Sequence, residues 1–210
     1  VNFWNSLYSD KNAIFDEVIE IDSSQIYPSV SWGLSPEQSI AINDSIPNIN
    51  EITNPDKKEE LKSSLIYMGL ESGQSLMHLP IDAAFIGSCT NARLDDLRSA
   101  AKILKGNKVS PDVLAICTPA SADIKRNAER EGIDQIFKDS GFQWREPGCS
   151  LCFYAGGEGF LPKQRVITST NRNFRGRQGP AVRSHLASPA TVAASAIAGK
   201  IISSIEVCKK

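Results

Sequence analysis

The sequence predicts an α/β fold built on a parallel sheet, and three features predict it. Apolar runs at residues 83–86, 113–116 and 166–168 have the length and continuity of strands buried on both faces. Each run ends in a turn of small or polar residues. Helical apolar stripes follow the first two turns, and an alanine-rich helix follows the third after a long loop. Strand–turn–helix units in series imply parallel pairing with right-handed crossovers.

The elements can be taken in order. Residues up to about Leu79 are polar and turn-rich, with short extended candidates at 18–21 and 30–32. Asn54-Pro55-Asp56 reads as a helix start: a capping side chain, proline at the first helical position and an acid in the first turn. That helix runs through Leu61 and Leu65 to about Met68 and stops near Gly69. After the 83–86 strand, Gly87-Ser88-Cys89-Thr90-Asn91 is a turn. Leu94, Leu97, Ile103 and Leu104 then mark a helical face. After the 113–116 strand, Thr118-Pro119-Ala120 is a turn and Ser121 caps a charged helix ending near Gly132. Residues 133–137 form a further short helix. Ser188-Pro189 opens a helix over 191–202, whose many small side chains suit close packing. The expected organisation is a turn-rich segment, residues 1–80, packed on an α/β core, residues 81–210.

Bulk composition narrows the function classes. The chain has 210 residues, 41% hydrophobic and 22% charged, enough to bury a core without staples. A formal net charge of -1 gives no global attraction to nucleic acid or anionic membranes. No apolar run approaches a membrane span, and Val1-Asn2-Phe3-Trp4-Asn5 does not open a secretion signal. The five cysteines, Cys89, Cys117, Cys149, Cys152 and Cys208, are an odd count that argues against a disulfide framework. The expected setting is reducing and cytoplasmic, with the cysteines as buried thiols or metal ligands.

In an open parallel sheet, ligands bind beyond the C-terminal strand ends. Cys89, Thr118 and Asn171 each follow a predicted strand, so three turns should face one crevice. Cys89 is expected where a helix begins, where backbone N–H groups and the helix dipole favour a thiolate. Cys149-Ser150-Leu151-Cys152 is a C-x-x-C announced by Pro147-Gly148. Alone, this spacing serves zinc, thiol exchange or iron–sulfur chemistry. Together with Cys89 it offers three ligands. Electron-transfer [4Fe–4S] clusters normally use four cysteines, whereas three leave one iron open as a Lewis acid. Zinc on three cysteines would need a fourth ligand, and His78 and His185, the only histidines, lie at no short ligand spacing. Cys117 reads as a core thiol, and Cys208 as structural or incidental.

The segment Thr168-Ser169-Thr170-Asn171-Arg172-Asn173-Phe174-Arg175-Gly176-Arg177-Gln178-Gly179 forms the second constellation. From Lys163 to Arg183 there are six basic residues and no acidic one. The run can be a solvated face, a phosphate or RNA contact, or a receptor for a polycarboxylate. The planar guanidinium fork matches carboxylates, so Arg172 and Arg177 suit a di- or tricarboxylate, with Asn171 adding an orienting hydrogen bond.

Gly87-Ser88-Cys89-Thr90-Asn91, Gly148-Cys149-Ser150-Leu151-Cys152, and Ser169-Thr170-Asn171-Arg172-Asn173-Phe174 with Gly176-Arg177-Gln178-Gly179 resemble the three signature segments of the aconitase superfamily, in the family's order. Ser150-Leu151 between the ligands, Phe142-Gln143-Trp144-Arg145, Asn43-Asp44-Ser45-Ile46-Pro47 and Arg183-Ser184-His185-Leu186 favour its isopropylmalate dehydratase branch. The resemblance implies a three-layer parallel-sheet domain of the aconitase type with helices on both faces. It implies a [4Fe–4S] cluster on Cys89, Cys149 and Cys152. The substrate hydroxyl would bind the open iron, while Arg172, Arg177 and Asn171 bind the substrate. The implied reaction is dehydration and rehydration of 2-isopropylmalate to 3-isopropylmalate, on the way to leucine. Homoaconitate, citrate or a methylmalate as substrate, a cluster-dependent RNA-binding regulator, and a zinc-binding interaction domain are the alternatives.

The resemblance also implies a small subunit carrying a swivelling domain, with the family's catalytic serine, as partner. An acidic–histidine pair lies in an N-terminal half that this sequence does not display, so the chain is expected to be part of a longer subunit, inactive alone. Arg175 stands where an acid is usual in this branch, Pro180-Ala181-Val182 where a basic, glycine-rich stretch is usual, and Leu34 where threonine is usual; Phe153-Tyr154-Ala155-Gly156-Gly157 also differs.

Overall fold

The computed structural model describes residues 1–154 and 157–207, so Cys208, Ala155 and Gly156 lie outside the described residues. Residues 1–27 are exposed throughout, including the short helix α1 (Asn2–Asn5). The extended run expected at 18–21 is not a strand: Val18, Ile19 and Ile21 are more than 70% exposed, and no strand lies beside them among the described residues. β-propensity without a partner ladder leaves backbone groups to water and does not form a strand. The second candidate is realised one residue earlier, as β1 (Ser29–Ser31), paired antiparallel with β2 (Ser39–Ala41).

Helix α2 (Pro55–Met68) starts and stops on its local chemistry. The Asn54 side chain accepts from Lys57 N at 3.0 Å, and Gly69 takes the left-handed conformation, φ 59°, that ends the helix. Leu61, Leu65 and Met68 face inward and join Val30, Trp32, Ile42 and Ile46 in the main apolar cluster.

That cluster lies on one face of a five-stranded parallel sheet of order β5-β4-β3-β6-β7. The strands are β3 (Ala83–Gly87), β4 (Leu114–Thr118), β5 (Gln143–Trp144), β6 (Arg165–Thr168) and β7 (Arg183–Leu186). The parallel α/β architecture is therefore as the sequence predicts, with two strands, β5 and β7, that apolar runs did not reveal. Helices α3 (Leu94–Leu104), α4 (Ala122–Arg130), α5 (Ile133–Ser140) and α6 (Pro189–Ala198) all contribute buried residues to the main cluster. Side chains alternate across the sheet: Ala84, Ile86, Ala115, Cys117 and Ile167 point to the helical face. Ala83, Phe85, Ile116 and Val166 point the other way, where Leu151 and Cys152 from a 3₁₀ turn and Phe160 and Val182 from loops cover them. Among the described residues the α-helices named above bury their apolar sides on the first face, and a 3₁₀ turn with loops covers the second.

Helix α6 packs closely along α3 and β3 through Ala193, Ala194 and Ala196. It ends at Ala198 rather than at the expected 202, because Gly199 adopts φ 69° and turns the chain. Ile201 then runs extended, exchanging hydrogen bonds with His78 and Leu79, before a last helical turn, α7 (Ser204–Val207). No helix among the described residues is long and apolar enough to cross a membrane.

From β3 the chain winds outward through β4 to β5, then returns to the opposite side of β3 with β6 and β7. The winding direction reverses between β3 and β6. At such a point the loops leaving two neighbouring strands diverge and open a crevice at their C-terminal ends.

Candidate functional site

The turn after β3 and the loop after β6 meet at this reversal and are laced together. Asn91 Nδ2 donates to Ser169 O at 2.8 Å, and Ser169 Oγ donates to Asn91 O at 3.2 Å. Gly87 N donates to Ser169 Oγ at 3.1 Å. The turn after β4 is tied in as well, through Ala120 N to Ala92 O at 3.1 Å. Cys89 is exposed on this frame, with Ser88 before it at φ 81°. The expectation that Cys89 opens a helix is corrected: α3 starts at Leu94, so the irregular turn 88–93 separates them and the helix dipole acts farther along.

The C-x-x-C forms a 3₁₀ turn, Ser150–Cys152, with Cys152 N bonded to Cys149 O at 2.8 Å. Gly148 at φ 156° and Ser150 at φ 43° make the bend. Leu151, 3% exposed, packs with Phe85 and Ile116, so a central strand anchors the turn. Cys149 is exposed and Cys152 buried, and both are free thiols. Cys117, in β4, is fully buried, and burial pushes its thiol pKa well above the ordinary value. It is a neutral core thiol, as expected.

Arg177 joins the third segment to the second. Its Nε donates to Cys152 O at 2.7 Å and its Nη2 to Cys152 Sγ at 3.1 Å, leaving Nη1 without a protein partner among the described residues. Its guanidinium carbon sits 5.3 Å from the Phe174 ring centre. Arg172 and Asn171 are exposed at the start of the loop, and Asn171 lines a cavity of about 500 Å³ with Asn91, Thr170 and Ser188. The basic run is not a continuous cationic surface. Arg165 is buried against His185, and Arg175 is turned onto Ser63 and the Tyr67 ring.

Sequence reasoning missed the residues that hold this arrangement. Buried Gln178 donates from Nε2 to Leu151 O at 2.8 Å and accepts from Ser184 Oγ at 2.8 Å, joining the C-x-x-C turn to β7. Asn173 Nδ2 donates to Gly33 O at 2.8 Å and to Ser184 O at 2.5 Å. Their signal was an amide inside a basic, glycine-rich loop, which says that a hydrogen bond is made but not to what. His185 is fully buried in β7, with its pKa lowered to about 3, chiefly by burial and then by Arg165. His78 is exposed before β3, in the segment paired with Ile201, away from the C-terminal strand ends. Neither histidine serves the crevice.

The chemistry of the donor set suits an iron–sulfur cluster. Three free thiols come from two turns that both rest on β3, and Arg177 offers a cation to one of them. Among the described residues no three His, Cys, Asp or Glu side chains stand close enough to hold one metal ion.

A model of the "Aconitase family (aconitate hydratase)" matches residues 1–199. The 3-isopropylmalate dehydratase large subunit of Cupriavidus necator is 55% identical over 198 residues, covering 94% of this chain and 74% of that protein. Large subunit 1 of Bradyrhizobium diazoefficiens is 47% identical over 201 residues, covering 96% of this chain and 42% of the relative. The large subunit of Prochlorococcus marinus (strain AS9601) is 48% identical over 202 residues, covering 96% and 43%. The chain thus spans about three quarters of one relative and less than half of the others.

Proposed function

The chain belongs to the aconitase family, and on that premise we propose that it carries the cluster-binding wall of a hydro-lyase acting on 2-isopropylmalate. In this reading Cys89, Cys149 and Cys152 hold a [4Fe–4S] cluster in a reducing, cytoplasmic compartment where free thiols persist. Bound there, the cluster supplies an iron without a protein ligand, a Lewis acid for a hydroxyl leaving group. The chain's own residues do the rest of the work on this wall. Arg172 and the Nη1 edge of Arg177 receive substrate carboxylates, and Asn171 orients them. Arg177, held on Cys152, keeps positive charge against a thiolate and fixes the distance between carboxylate receptor and cluster. A small subunit with a swivelling domain closes the crevice and excludes water.

The observation that carries this reading is the Arg177–Cys152 pair, which joins the arginine loop to the C-x-x-C turn at the reversal of the sheet. The relatives' printed names favour the branched hydroxy-diacid over citrate. The test is anaerobic reconstitution with iron and sulfide, reduction, and EPR during titration with 2-isopropylmalate, citrate and homocitrate in turn. The proposal expects 2-isopropylmalate to perturb the reduced-cluster signal, and Arg172→Lys to weaken that response. A signal indifferent to 2-isopropylmalate would overturn the substrate assignment.

A further inference from the structure

Hydroxyl groups without partners flank two of the cysteines in the chain. Among the described residues five buried side-chain polar atoms make no hydrogen bond, and three of them, Ser88 Oγ, Thr118 Oγ1 and Ser150 Oγ, lie in the turns that carry Cys89 and Cys149 or at the C-terminal end of β4. Ser88 directly precedes Cys89 and Ser150 directly follows Cys149. Thr118 ends β4 in register with Gly87, the residue before Ser88. Ser88 is 3% exposed and Thr118 0%, so water does not satisfy them from outside. Buried hydroxyls are almost always paired, and leaving one unpaired is costly. Ser88 and Ser150 also hold left-handed backbone, φ 81° and 43°, which a serine keeps only where its surroundings impose it.

Resting on the cluster reading above, we propose that Ser88, Thr118 and Ser150 donate hydrogen bonds to the sulfur atoms of the cluster and its thiolates. They are positioning residues that set its reduction potential. Sulfur in such a centre is anionic and accepts weakly but in several directions. Donors aimed at it favour the reduced state, which carries more negative charge, and so raise the potential. The strained turns make sense on the same terms, since they fix a hydroxyl beside each of two ligand cysteines.

The full chain, reconstituted anaerobically, is titrated with dithionite as the one-electron donor while EPR records the reduced cluster. Thr118→Val keeps the shape of the side chain and removes only the hydroxyl; Ser88→Ala and Ser150→Ala do the same at the turns. Each is expected to lower the midpoint potential by an amount equal to roughly a two- to tenfold change in the reduction equilibrium constant, the range of one hydrogen bond. Ser35→Ala, which removes an unpaired hydroxyl elsewhere, should leave the potential unchanged. Without cluster, Thr118→Val should keep or raise the melting temperature of the chain, because it removes an orphaned polar group. A cluster whose potential ignores Thr118→Val and Ser88→Ala would overturn this inference alone. A wild-type chain that takes up no cluster would overturn the cluster reading, and this inference with it.

Discussion

The buried histidine makes the chain sensitive to mild acid, in a direction the structure fixes. His185 Nε2 lies 2.7 Å from Arg165 Nη1, and its Nδ1 lies 2.7 Å from Ser31 O. A guanidinium can only donate, so Nε2 accepts, and Nδ1 carries the proton given to Ser31 O. Protonating Nε2 would set two donors against each other in a fully buried site. Burial, and secondarily Arg165, therefore lower the pKa from 6.5 to about 3, against the opposing effect of the Ser31 carbonyl. Because the unfolded chain binds the proton more readily, this contribution to stability is complete above pH 6.5. It is lost as the pH falls from 6.5 toward 3. The slope approaches about 1.4 kcal/mol per pH unit, which amounts to about 2 kcal/mol lost between pH 7 and pH 5. Urea unfolding followed by near-ultraviolet circular dichroism at several pH values measures it, with His185→Gln as the reference. The variant should be less stable at pH 7, by about 1–3 kcal/mol for the broken hydrogen bonds. The gap should narrow as the pH falls, since glutamine does not titrate. Parallel stability curves for the two proteins, or a His185 imidazole titrating near 6.5 by NMR, would refute this assignment.

Arg177→Lys keeps the charge but cannot bond Cys152 O and Sγ together. Losing one charge-assisted contact is worth about 1.5–3 kcal/mol, so kcat/KM of the assembled enzyme should fall about 10- to 100-fold in steady-state assays. Leu151→Ala empties the contact that anchors the C-x-x-C turn on Phe85 and should cost about 2–5 kcal/mol in urea unfolding. It should also speed iron loss from a reconstituted cluster, measured with a ferrous chelator. Gly179→Ala forces a side chain onto φ 143° and brings its Cβ within 2.5 Å of Phe160 O. Its melting temperature should fall, by a stability loss of about 1–3 kcal/mol or more.

Elements with their own local chemistry were legible in the sequence. The cap at Asn54, the stop at Gly69 and the apolar strands β3, β4 and β6 needed no knowledge of distant neighbours. β7 was hidden because its residues, Arg183-Ser184-His185-Leu186, are polar. They are satisfied across the sheet by partners such as Ser31, 154 residues away in the chain for the His185 contact. β5 is two residues long and half exposed. The candidate site divided in the same way. Cysteines and arginines advertise their chemistry by type, so they could be named as candidates, while their assignment to cluster and substrate came from the resemblance to the family's signature segments. Gln178, Asn173 and Ser169 act by bridging segments far apart in sequence, which only the folded chain reveals. The helix expected at Cys89 failed because the turn needs room to bond Asn91 to Ser169 before α3 can start.

The chemistry of this wall depends on which thiols hold iron. Iron and sulfide content and EPR should be measured on the anaerobically reconstituted chain, then on Cys89→Ser, Cys149→Ser, Cys152→Ser and Cys117→Ser. Three ligands and one open iron predict a four-iron cluster that ferricyanide converts to a [3Fe–4S] signal. Each of the first three substitutions should abolish or severely destabilise it, while Cys117→Ser leaves it intact. Assembly that survives loss of Cys89, Cys149 or Cys152, or that requires Cys117, would contradict the account.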